Sequence, residues 1–168
     1  PAMRMKHEPS LRNQLLCCWD RNNTITINLL RALPAGGLEA RVAAGSPTVA
    51  EMFTHMHYVR MVFVEEDAPE CAAVVPDREW STERDPELIA QRLNESAKTV
   101  REAVRGTLES GRAMVQHYDH PILMLQHMIW HEGYHHGQIK LALKAAGTPL
   151  ADADIGRGTW GVWMDKRS

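Results

Sequence analysis

A chain of 168 residues, 44% of them hydrophobic and with a formal net charge of −2, is long enough to bury one sizeable core and calls for one domain over residues 1–168. The charge leaves no basic surplus for nucleic acid or an acidic membrane surface, and no apolar run approaches the roughly 20 residues that span a bilayer. Arg4, Lys6, His7 and Glu8 interrupt the stretch where a signal peptide would need an apolar core, so the sequence reads as that of a soluble, cytoplasmic protein.

The first predicted helix runs from about Ser10, a good N-cap, to Leu33, with Pro34 as its stop. Leu11, Leu15, Cys18, Asn22, Ile25 and Leu29 recur at three- and four-residue steps and predict one buried stripe. Asn22 interrupts that stripe and needs hydrogen-bond partners, either in a polar cavity or on a neighbouring helix. Residues 34–46 form an Ala- and Gly-rich linker.

A second helix starts near Pro47 or Thr48, capped either by Ser46 with proline at the first helical position or by a Thr48–Glu51 capping box. It continues through Met52, His55, Val59 and Val62 to about Glu65. Residues 67–84 look irregular. Asp85-Pro86 opens a third helix with the stripe Ile89, Leu93, Ala97, Val100, Val104 and Leu108, ending near Gly106 or Gly111. A fourth runs from Pro121 to about Ala146, where Gly147 offers a left-handed cap and Pro149 blocks continuation. The tail from Thr148 to Ser168 carries Trp160 and Trp163, cannot be a long helix, and is expected to pack across the others. Four amphipathic helices with one buried stripe each predict an all-α protein, an antiparallel four-helix bundle with a short irregular C-terminal tail. The three cysteines, Cys17, Cys18 and Cys71, lack the spacing of a disulfide framework and read as buried helix residues.

Nine histidines are the unusual feature, eight of them between His55 and His136. His131 and His135, four apart, stand on one helix face, so both imidazoles can reach one ion. They continue the stripe Met124, Met128, His131, His135 and Ala142, which points them inward. A site built on them needs a third protein ligand, and His55, on the inward stripe of the second helix, is the candidate. His57 lies about 200° away around that helix and should face elsewhere. His127 shares the stripe of His131 and is kept as an outer partner or alternative ligand. His7, His117, His120 and His136 read as solvent, cap or loop residues. No side chain stands out as catalytic; Glu132, Tyr134, Gln138 and Asn22 are the candidates, with Glu132, Gln138, Asn22 and His127 supporting the ligands.

The run Ser46-Pro47-Thr48-Val49-Ala50-Glu51-Met52-Phe53-Thr54-His55 and the run His131-Glu132-Gly133-Tyr134-His135-His136-Gly137-Gln138-Ile139 resemble the two motifs of the DinB/YfiT-like family of metal-dependent bundle proteins. Ala146-Gly147-Thr148-Pro149 also fits. His136 stands where arginine is common. The resemblance covers nearly the whole chain. It implies an antiparallel four-helix bundle with an unusual helix order, often a homodimer, and three histidine ligands that leave positions open for water or substrate. It implies a divalent ion, zinc or nickel, and a small-molecule substrate. Characterised relatives include S-transferases that use a low-molecular-weight thiol and a thiol-dependent isomerase.

Two rival readings stand beside it. His131-Glu132-Gly133-Tyr134-His135 also spells the HExxH motif of zinc peptidases, in which the glutamate is the general base. The metzincin extension of that motif would need glycine at 138 and histidine at 141, where this chain has Gln138 and Leu141. The other rival is a non-catalytic metal-binding stress protein, whose structural site would be closed by a fourth protein ligand.

Overall fold

The computed structural model describes residues 10–166; Arg4, Lys6, His7 and Glu8 lie outside them. Among the described residues all regular structure is helical. The long helices are α1 (Leu11–Arg31), α2 (Val49–Asp67), α3 (Pro86–Ser110) and α4 (Pro121–Ala145). A short α5 (Asp152–Ile155) and two 3₁₀ turns form the tail.

The helix ends follow from local chemistry. Ser10 accepts the Asn13 amide at the start of α1. At α2 the capping box prevails over the Ser46 alternative: Thr48 Oγ1 accepts the Glu51 amide at 3.1 Å, and Glu51 accepts the Thr48 amide at 2.6 Å. Asp85 caps α3 ahead of Pro86, and His120 caps α4 by accepting the Ile122 amide. Gly111 and Gly147 end α3 and α4 at φ of 67° and 81°, where a side chain would be strained.

Two apolar clusters make the core. One joins the end of α1 (Leu29, Leu30) and the start of α2 (Phe53, Met56) to the start of α3 (Ile89, Leu93) and the end of α4 (Ile139, Leu143). The other joins Leu16 and Trp19 of α1, Val64 of α2, Val100 and Val104 of α3, and Met124 and Met128 of α4. Helices α2 and α3 therefore point one way, and α1 and α4 the other. Between the clusters lies a buried polar layer with a member from every long helix: Asn22 and Thr26, Arg60, Ser96, and Glu132.

Two predicted stripes shift. On α1, Leu11 is exposed and Leu15 and Cys18 are half-buried, while Leu16 and Trp19 occupy the core. Trp19 also donates its indole N–H to the Ala97 carbonyl at 2.8 Å, which holds α1 on α3. On α2 Met52 and His55 are buried as predicted, but Val59 and Val62 are only partly covered, and the buried line continues instead through Phe53, Met56, Arg60, Val64 and Asp67. Burying Arg60 is what turns the helix to this face. All three cysteines are half-buried rather than buried. The α3 stripe is as predicted, apart from a half-buried Leu108. The tail packs on α1 and α4: Arg21 donates to the carbonyls of Val162 and Asp165, Asn28 to that of Gly158, and Lys140 pairs with Asp152.

Candidate metal centre

The i, i+4 spacing on α4 stacks His131 and His135 with ring centroids 4.5 Å apart and planes nearly perpendicular. α2 brings His55 against both, with centroids 5.2 Å from His131 and 4.8 Å from His135. The Nε2 atom of His131 lies 3.2 Å from that of His55 and 3.1 Å from that of His135. A potential ligand atom from each of the three lies within 4.8 Å of the other two. His55 and His135 are only 8% and 6% exposed.

Burial disfavours the charged imidazolium. It lowers His55 and His131 from 6.5 to about 4, with the neighbouring imidazoles adding to the effect, and it lowers His135 as well. Three neutral rings thus aim nitrogens at one point. Each neutral ring has one unprotonated nitrogen, so the cluster can offer three lone pairs to one cation. Separations of 3.1 and 3.2 Å suit N–H···N hydrogen bonds and are also short enough for the nitrogens to share an ion at bonds of roughly 2.0–2.1 Å. The donor set fits a divalent metal.

The neighbours orient these rings. His135 Nδ1 donates to Gln138 Oε1 at 2.8 Å, a bond that keeps the Nε2 lone pair free for a ligand role. A Glu79 carboxylate oxygen stands 3.1 Å from His55 Nδ1, without the alignment of a hydrogen bond. Trp80 stacks on His55, with centroids 4.2 Å apart and planes within 8°. The histidines open onto a cleft of about 560 Å³ bordered by Val42, Pro47, Trp80, Trp130, Tyr134 and Leu141.

The other predicted residues lie elsewhere. Glu132, next to His131 in the chain, is turned into the polar layer with no exposure. Arg60 donates to it twice, Nε to Oε1 at 2.5 Å and Nη2 to Oε2 at 2.8 Å, and Asn22 Nδ2 donates to Oε2 at 2.7 Å. Burial opposes ionisation of Glu132, but the charge and hydrogen bonds of Arg60 outweigh it and hold the carboxyl below its ordinary value. Asn22 thus has a helix partner in Glu132, and it also borders a cavity of about 260 Å³ with Ile25, His136 and Trp160. His127 accepts or donates at Nδ1 with the Tyr118 hydroxyl at 2.7 Å and is not in the cluster. His57 lines a different cavity, of about 220 Å³, with Phe53, Arg78 and Arg92. His117 bonds Asp67 at 2.7 Å. His136 is corrected: far from being a solvent or loop residue, it meets Thr26 Oγ1 at 2.9 Å, and burial lowers it to about 4.

Sequence reasoning missed Arg60, Glu79 and Trp80. A charge on each of two inward stripes, Arg60 and Glu132, was the available signal for the first. The other two fall in the irregular segment 67–84, where no periodicity marks a direction.

The family model described as the DinB family matches residues 3–162, nearly the whole chain. No curated protein and no solved structure matches it.

Proposed function

The chain belongs to the DinB family, and on that premise we propose that it is a metal-dependent enzyme acting on a small molecule, with a divalent ion held by His55, His131 and His135. The observation that carries this is the convergence of three neutral imidazoles at the floor of an open cleft. Zinc and nickel suit the donor set. An antiparallel four-helix bundle in the cytoplasm belongs to the same reading on the sequence pattern, and a homodimer on the family resemblance.

Three neutral ligands would leave the charge of a bound ion uncompensated, and the chemistry it would supply is a lowered pKa for a thiol or water at the site. The chain's own residues do the rest. Gln138 keeps His135 in the tautomer that presents Nε2. The Arg60–Glu132 pair ties α2 to α4 directly behind the ligands. Trp80 covers one face of His55.

A thiol-dependent S-transferase or isomerase is the activity that the family resemblance implies, and a metal-dependent hydrolase is the alternative. An HExxH peptidase needs its glutamate at the metal-bound water, and here Glu132 is bound to Arg60 inside the core. A closed structural site needs a fourth ligand, and among the described residues the candidates Glu132, His127 and His57 all have other positions.

The test is metal content by mass spectrometry of the purified protein beside His55→Ala and His131→Ala. One ion per chain in the wild type, lost in both variants, is expected. A wild type that takes up neither zinc nor nickel would overturn the proposal.

A further inference from the structure

Resting on the metal reading above, the question left by the site is what else its cleft admits. A ligand that reaches the histidines passes a border that is mainly aromatic and aliphatic, with Trp80 on the α2 side, the Trp130–Tyr134 pair on the α4 side and Val42, Pro47 and Leu141 between, and with Ser46 and Gln138 as its neutral polar members. Trp130 and Tyr134 stack on each other with centroids 6.0 Å apart and planes within 15°. They remain 69% and 55% exposed. Two rings that large, left open to water beside a buried polar cluster, offer stacking surface to a flat partner.

Charge points the same way. Among the described residues no lysine or arginine borders the cleft. The guanidinium of Arg41, next to Val42 in the chain, is held at the rim, where it donates to the carbonyl of the cleft-lining Ser46 at 2.8 Å. The carboxylate beside the histidines is Glu79, which repels anions. A bound divalent ion would attract one anionic donor to the cleft floor, while among the described lining residues no side chain carries a positive charge for a second.

We infer that the site takes a ligand with a single metal-binding head, a thiolate or a phenolate, carried on an aromatic or apolar body with no further anionic group. Carboxylate-rich thiols are expected to bind less tightly, because Glu79 repels their extra charges and the bordering side chains give those charges no cation.

The test uses the cobalt(II)-loaded full-length protein, whose visible absorption reports both the histidine site and any added donor. Phenylmethanethiol, one thiol on an aromatic ring, is compared with mercaptosuccinate, one thiol with two carboxylates. Phenylmethanethiol is expected to bind at least about tenfold more tightly. Trp130→Ala, a change at an exposed ring that opens no core, is expected to weaken it by roughly tenfold and to leave mercaptosuccinate unchanged. Equal or tighter binding of mercaptosuccinate, an indifferent Trp130→Ala, or a cobalt spectrum that neither thiol alters would overturn the inference while the metal site stands. Failure to load cobalt would instead bring down the metal reading, and this inference with it.

Discussion

Arg60 and Glu132 form a bidentate ion pair with no solvent exposure on either side chain. The pair sits in the layer that separates the two apolar clusters, immediately behind His131. Arg60 also donates to the Leu93 carbonyl at 2.6 Å and lies 4.8 Å over the Trp19 ring. One side chain thus links all four long helices.

Removing one partner strands the other in the core. Arg60→Met is expected to cost about 3–5 kcal/mol in urea unfolding, and Glu132→Leu a similar amount. The double variant should be closer to the wild type than either single one, because no uncompensated charge is left. Additive losses would show that the two act separately.

Metal retention should separate the histidines by their place in the fold. His57→Ala and His127→Ala are expected to keep the ion that His55→Ala and His131→Ala lose, since His57 lines another cavity and His127 is bonded to Tyr118. Loss of metal in His57→Ala with the fold intact, as judged by circular dichroism, would contradict the ligand set.

Gln138 orients a ligand without being one. Gln138→Leu is expected to weaken zinc binding about 10- to 100-fold, measured by competition with a chromophoric chelator. Gln138→Glu, which keeps an acceptor for His135 Nδ1, should retain most of the affinity. Equal affinity in Gln138→Leu and wild type would remove the orienting role.

Acid should destabilise the metal-free protein through its buried histidines. Burial lowers His55, His57, His131 and His136 to about 4 in the folded chain, against 6.5 when unfolded. Above pH 6.5 both states are neutral and the full stability is present. As pH falls from 6.5 towards 4, the unfolded chain takes up protons that the folded chain refuses, and stability is lost. The urea midpoint is therefore expected to drop between pH 7 and 5, before the carboxylates titrate. His57→Gln should flatten the slope by about one proton. A midpoint that is constant from pH 7 to 5 would show that these imidazoles are already protonated or hydrated in the folded state.

Much of this was legible in the sequence because it is local. Helix starts at Thr48, Asp85 and Pro121, and stops at Gly111 and Gly147, depend on a few neighbouring residues. The pairing of His131 with His135 follows from helical pitch alone. The family motifs lie in two continuous runs, within the residues 3–162 that the family model matches.

What depended on the tertiary structure was every choice between faces. A helix with apolar residues on several sides has no unique inward direction until its partners are packed. Arg60, rather than Val59, ended in the core because Glu132, Asn23 and the Leu93 carbonyl meet it there. Glu132 could belong to a metal site or to the core on spacing alone, and the buried guanidinium of Arg60 decided for the core. Trp80 and Glu79 have no periodicity to place them, and only the path of the chain between α2 and α3 brings them onto His55. Sequence carried the short-range geometry of the histidine pair; its third member, its walls and its charge were set by contacts between residues far apart in the chain.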